Sequence, residues 1–149
     1  MIEAVGHEYY ETYFAQCSRL LKPKGLMLIQ AITIPDQRYD YARTNTDFIK
    51  KYIFPGGCLP SNAAIARCVE KCTDLQIVQL DDISIHYART LADWHTRFNA
   101  ALDTVHNLGF DERFCSMWEF YLKYCEGGFR ERAVSASQTL LAKPLFRFS

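Results

Sequence analysis

The side chains able to do chemistry in this 149-residue chain are its thiols, one amide set in an apolar run, and a large set of aromatic rings. The thiols are Cys17, Cys58, Cys68, Cys72, Cys115 and Cys125. None forms a Cys-x-x-Cys pair and no Cys/His cluster has zinc spacing, so no metal is expected. Cys68 and Cys72 stand four apart on an expected helix. They are either half of a metal site or, more plainly, two small buried residues on one face. Gln30 interrupts the run Leu26–Ile34, and a buried amide without partners costs about 1–3 kcal/mol. Ten Phe and nine Tyr help bring aromatics to 14%. Such rings can wall an apolar pocket, and the faces of Tyr and Trp attract a cation by about 0.5–2 kcal/mol. Tyr41, Phe48, Tyr52, Trp94, Phe98 and Tyr121 are candidates for such walls, and the same rings serve equally as plain core. Gly56-Gly57 follows an aromatic segment, and Gly127-Gly128 is expected to end a helix. Neither lies between a strand and a helix with an acidic residue beyond, as a nucleotide-binding loop would.

The composition fits one globular domain with a real core: 49% apolar and 23% charged residues. Positive and negative side chains balance at 17 each, so no basic field is present to hold nucleic acid by its phosphates. A local patch could still contact an anionic membrane. No signal peptide and no apolar run of membrane-spanning length is apparent. Reduced thiols in a cytoplasmic protein are the expectation.

The elements that must position these groups follow from periodicity. Tyr10, Phe14, Cys17 and Leu21 predict a helix, stopped by Pro23 and Gly25. Leu26–Ile34 predicts a strand covered on both faces, as in a parallel sheet. Residues 37–52 read as a helical excursion, and Phe54-Pro55-Gly56-Gly57 as a turn. Leu59-Pro60-Ser61 caps a helix whose inner face carries Ile65, Cys68, Val69 and Cys72. Residues 76–84 form a strand. Two amphipathic helices follow, one with Leu91, Trp94, Phe98, Leu102 and Val105, the other with Phe114, Met117, Trp118, Tyr121, Leu122 and Cys125, ending at Gly127-Gly128. Residues 134–143 read as a last strand. The pattern is α/β, but with few strands and a bare edge of unpaired backbone.

Read as strings, MIEAVGHEYY, LLKPKGLMLIQAITI, DFIKKYIFPGGCLPS, IHYARTL and YCEGGF resemble, in this order, the cyclopropane-fatty-acyl-phospholipid synthases. The resemblance spans essentially the whole chain. It implies the C-terminal part of a Rossmann-like methyltransferase that uses S-adenosylmethionine (SAM), with an incomplete sheet and inserted lid helices over a lipid channel. The glycine-rich donor loop of that family lies upstream of the matched region. Residues 1–149 are therefore expected to carry part of the catalytic pocket, with the donor held mainly elsewhere.

The resemblance also assigns roles. It implies a bound bicarbonate as base, held by a glutamate, a histidine, a tyrosine and backbone groups. Glu3 matches the glutamate, Tyr87 the tyrosine, and the backbone of Ile32 the position two past the histidine. The histidine itself is Gln30 here, which can donate an N–H to an anion but cannot titrate. Glu3, Gly6 and His7 are assigned to the donor side. Cys125 matches a cysteine proposed as catalytic in the family, although no neighbouring base or charge in the sequence argues for an activated thiol. Plainer readings stand beside these: a satisfied amide for Gln30, a helix-start carboxylate for Glu3, a half-buried strand-end tyrosine for Tyr87 and a buried helix-face thiol for Cys125.

The activity implied is methylene transfer from SAM to the cis double bond of an unsaturated phospholipid acyl chain, in the cytoplasm and peripheral to the inner membrane face. Two alternatives remain: a lipid-binding or interaction module that pairs with a separate donor-binding half, and a methyltransferase giving a methyl-branched chain. Self-association into a homo-oligomer through the exposed sheet edge is also expected.

Overall fold

The computed structural model describes residues 1–147. They divide into two compact units, residues 1–82 with residues 135–147, which include the strand Ser135–Ala142, and residues 83–134.

The first unit opens with single 3₁₀ turns at Ile2–Ala4 and His7–Tyr9, then helix α1, Tyr10–Leu20. Tyr10, Phe14 and Ser18 form its buried stripe at every fourth position. Strand β1 spans Leu26–Thr33. The helical excursion consists of a 3₁₀ turn at Asp36–Arg38, helix α2 at Tyr39–Thr44 and a π-helical turn at Ile49–Ile53. Helix α3, Asn62–Cys72, starts where predicted: buried Ser61 accepts the N–H of Ala64 on its hydroxyl at 3.1 Å. Thr73 closes it, its hydroxyl donating to the Val69 carbonyl at 2.6 Å. Strand β2 is Gln76–Asp82 and β3 is Ser135–Ala142.

The sheet order is β1-β3-β2, with β3 antiparallel to both neighbours. The chain's last strand thus lies between the other two. The expectation that β1 is buried on both faces is not met. Ile29, Ala31 and Thr33 point into the core, whereas Leu26, Leu28 and Gln30 are exposed. The physical reason is that the helices of the first unit close over the face that carries Ile29 and Ala31. Ile2, Tyr10, Phe14, Ile65 and Val69 close over Ile29, Ala31 and Leu141 there. Strand β2 is exposed throughout and stops at Asp82, short of the predicted residue 84.

The second unit is helical. Helix α4 (Ser84–Ala100) and helix α6 (Glu112–Arg130) pack together, joined through the short α5 (Leu102–Asn107). Asp111 caps α6, accepting the Phe114 N–H at 2.8 Å. Tyr87 lies one turn inside α4, not at a strand end. Gly127-Gly128 does not end α6, which continues to Arg130. The returning chain explains the small residue there: Ala133 and Val134 both donate to the Gly128 carbonyl, and a Cβ on Gly128 would stand 3.3 Å from Val134. No described helix is long and apolar enough to cross a membrane.

Candidate functional site

The expected site residues fall into two groups, one in each unit. In the first, the fully buried side chain of Ile2 seats the opening 3₁₀ turn against the core and brings Glu3 to the edge of β1. Glu3 Oε1 accepts the main-chain N–H of Ile32 at 2.6 Å, and Oε2 takes the Met1 amino group at 2.8 Å. Neighbouring residues of a strand direct their amides to opposite sides, so the Ile32 N–H points away from β3, along the outer edge. The Glu3 carbonyl in turn accepts the Cys58 N–H at 2.7 Å, and the Pro60 carbonyl accepts the Ile34 N–H at 2.9 Å. The segment Gly57–Pro60 is thereby held beside both Glu3 and the end of β1. Tyr10 completes the clamp, its buried hydroxyl donating to the Cys58 carbonyl. Burial above all, with the nearby Cys58 thiol, pushes that hydroxyl well above its ordinary pKa.

Gln30 sits on the exposed face of β1, directly opposite Gln138 of β3, and its carbonyl accepts the Gln138 amide at 2.9 Å. It is a satisfied cross-strand amide rather than a buried one seeking partners. What it can still offer an anion is its own N–H. Gly6 has φ +87°, in the left-handed region, and a Cβ there would meet the Glu8 carboxylate at 3.2 Å. His7 is exposed, with Nδ1 3.2 Å from Glu8 Oε2. His7 and Glu8 line an open polar cavity of about 270 Å³, whose lining also includes Gly57 and Cys58.

In the second unit, Tyr87 packs on Phe129, with ring centroids 4.8 Å apart and planes tilted by 32°. Tyr121 lies in the same cluster. Burial first, then the neighbouring Cys125 and Tyr87, pushes its hydroxyl up to about 12. Tyr87, Tyr121, Cys125 and Phe129 thus form one partly buried aromatic–thiol group. An aromatic ladder runs along α6: Phe110 on Phe114 at 4.3 Å, Phe114 on Trp118 at 5.9 Å and Trp118 on Tyr121 at 5.0 Å. Of the wall candidates, Tyr41 and Tyr52 are more than half exposed. Cys68 and Cys72 face α1, where the Cys72 thiol donates to the Cys68 and Glu11 carbonyls. Among the described residues, no group of three or more His, Cys, Asp or Glu could hold a metal ion.

Sequence reasoning did not foresee Cys58 as the residue that fastens Glu3, nor Arg43 and Lys50 as lining of the cavity. The glycine pair before Cys58 was the available signal. A Cβ on Gly57 would stand 3.1 Å from the Phe54 carbonyl and 3.3 Å from the Glu3 carbonyl, a close approach that glycine makes without displacing either.

The model of the mycolic acid cyclopropane synthetase family matches residues 1–139. The chain belongs to this family. It is 45% identical over 143 residues to the tuberculostearic acid methyltransferase UfaA1 of Mycobacterium tuberculosis, covering 96% of this chain and 34% of that protein. It is 38% identical over 144 residues to the cyclopropane-fatty-acyl-phospholipid synthase of Escherichia coli, covering 96% and 36%. The solved mycolic acid cyclopropane synthase CmaA1, complexed with SAH and CTAB, superposes with a TM-score of 0.84 at 29% identity, covering 95% of this chain and 52% of that one. The chain therefore spans about a third of the length of these curated relatives. Its mixed α/β fold corresponds to part of a SAM-dependent methyltransferase, as the resemblance implied.

Proposed function

We propose that the chain forms one side of the reaction chamber of a methyltransferase that alkylates the cis double bond of an unsaturated phospholipid acyl chain. The observation that carries this reading is the Glu3–Ile32–Cys58 clamp, formed by three of the strings on which the family likeness rests. SAM, when bound, supplies an electrophilic methyl carbon. Attack by the π electrons of an acyl double bond would release the sulfur as a neutral thioether and leave positive charge on the neighbouring acyl carbon. Closure to a three-membered ring would further need a base to take a proton from the transferred methyl, the freed C–H electron pair forming the bond to the cationic carbon. Such a cation demands a chamber that excludes water. Within the second unit, the ring faces of Tyr87 and Tyr121 suit such a cation, since aromatic faces attract positive charge.

The bicarbonate implied by the resemblance does not fit the residues as they stand. The Ile32 N–H it would use is already given to Glu3 Oε1. Gly6 and His7 keep a donor-side role by the resemblance alone, while His7 also stands against Glu8 on the wall of the polar cavity; within the second unit, Cys125 stays beside Tyr121.

A second reading differs only in product. The 45% identical relative is named for tuberculostearic acid, which favours a methyl-branched chain, whereas the 38% identical relative is named for a cyclopropane. The test is transfer of isotope-labelled methyl from SAM to vesicles of oleoyl phospholipid, read by mass spectrometry of the released fatty acids. It is run with the chain alone and with the portion of UfaA1 that precedes the matched segment. Label is expected in the acyl chain only in the second case, and the ring or branch is read from the fragmentation. Absence of label in both cases overturns the proposal.

A further inference from the structure

The polar cavity beside Glu3 carries a further inference, which rests on the phospholipid reading and deepens it. Its volume is about 270 Å³, and its lining includes His7, Glu8, Arg43, Thr46, Lys50 and Gly57. The walls are built in advance. The Lys50 ammonium donates to the Ala42 and Asn45 carbonyls, fixing the end of α2 and leaving its positive charge at the cavity. Arg43 gives only Nε to Asp40, at 3.0 Å, and a guanidinium has further N–H donors in a planar fork suited to phosphate. Gly56, at φ +82°, also lines the cavity and has nothing within 4 Å of a Cβ position.

The charges are of both signs. A bare anion would meet the Glu8 carboxylate, and a bare cation would meet Arg43 and Lys50. A ligand carrying phosphate and ammonium together satisfies both. We propose that this cavity binds a zwitterionic phosphoethanolamine headgroup, its phosphate on Arg43, Lys50 and Thr46 and its ammonium on Glu8. Cys58, on the cavity wall, donates its N–H to the Glu3 carbonyl, so headgroup site and clamp share one strip of backbone.

The test is a titration of the isotope-labelled chain followed by amide NMR, using sn-glycero-3-phosphoethanolamine, sn-glycerol 3-phosphate, inorganic phosphate and ethanolamine. Pelleting with phosphatidylethanolamine or phosphatidylglycerol vesicles separates lipid-borne from soluble ligand. The phosphoethanolamine ester is expected to move the Arg43, Thr46 and Gly57 amides and to bind roughly tenfold more tightly than glycerol phosphate. Glu8→Gln is expected to erase that preference, and Arg43→Gln to weaken both ligands about tenfold. Both side chains are exposed, and amide dispersion checks each variant's fold. Should a variant unfold, the ligand order of the unaltered chain still decides. Equal binding of inorganic phosphate, or unmoved amides at residues 43–57, overturns the proposal. The titration needs neither methyl donor nor acyl chain. Its failure leaves the methyl-transfer reading standing, and failed label transfer leaves this result standing.

Discussion

The main-chain N–H of Ile32 donates to Glu3 Oε1 across 2.6 Å, so a charged acceptor ties the opening 3₁₀ turn to the outer edge of β1. That edge has no described strand beyond it, and Glu3 takes the place of a neighbouring carbonyl.

Replacing Glu3 separates the bond from the charge. Glu3→Ala leaves a partly buried N–H without its acceptor and is expected to destabilise the fold by about 1–3 kcal/mol. Glu3→Gln keeps an oxygen on the Ile32 N–H and loses the charge assistance there, roughly 1 kcal/mol, together with the ion pair to the Met1 amino group. Urea unfolding gives both values, and faster exchange of the Ile32 amide in the alanine variant locates the loss. Bicarbonate added to the unaltered chain is expected to leave the Ile32 amide resonance unmoved. A saturating shift would show that Glu3 yields its place to the anion.

Thr139 lies at the centre of the sheet, paired with Ile29 on one side and Leu80 on the other, and is 1% exposed. Its hydroxyl has no partner among the described residues. A buried hydroxyl without a partner carries its desolvation cost unrelieved. Valine has nearly the same shape and a β-branched side chain suited to a strand. Thr139→Val is therefore expected to stabilise the chain by about 1 kcal/mol, seen as a higher urea midpoint at unchanged slope. A lower midpoint would show that the hydroxyl does have a partner.

These residues also mark how far the sequence was legible. Tyr10 and Phe14 repeat with the helical period, and Ser61 announces the start of α3, because periodicity and capping are local signals. The pairing of β3 between β1 and β2 depends on contacts more than fifty residues distant, which no local pattern encodes. The apolar run at β1 suggested burial on both faces because hydrophobicity reports what a residue tolerates, not which layers pack on it. Gly127-Gly128 suggested a stop, yet the second glycine is small because the chain returns across it at Val134. Glu3, Gln30 and Ile32 were legible only through family strings. That Gln30 pairs with Gln138 required knowing which strand lies beside β1.

Asp74 joins three elements of the first unit. Its carboxylate accepts the Lys143 ammonium at 2.6 Å and the Ser18 hydroxyl at 2.8 Å. Lys143 first and Ser18 second hold its carboxyl below the ordinary value. A depressed pKa means that the folded chain binds this proton less readily than the unfolded one. The stabilisation is then fully present above the ordinary carboxylate range, near about 4, and is lost as pH falls through the lowered value. Asp74→Asn removes that dependence. Thermal midpoints measured from neutral pH down to pH about 2 are expected to fall less steeply in the variant, in this acid window alone. Parallel curves would show that the Lys143 contact does not persist in solution.

Tyr121 makes the opposite case at the alkaline end. Burial, then Cys125 and Tyr87, raise its hydroxyl to about 12, against an ordinary value of 10.0. The folded chain therefore holds this proton more tightly than the unfolded chain does. Stability from the group is complete below the ordinary value and drains away as pH climbs toward the raised one. Tyr121→Phe removes the ionisable group while keeping the ring against Trp118. Alkaline unfolding, followed by circular dichroism, is expected to begin at higher pH in the variant, with little change near neutrality. Phenolate absorbance should lose one late-titrating tyrosine. If variant and parent unfold together through this window, the phenol is hydrated, and the aromatic–thiol group around Tyr87 does not exclude water as alkylation of a double bond requires.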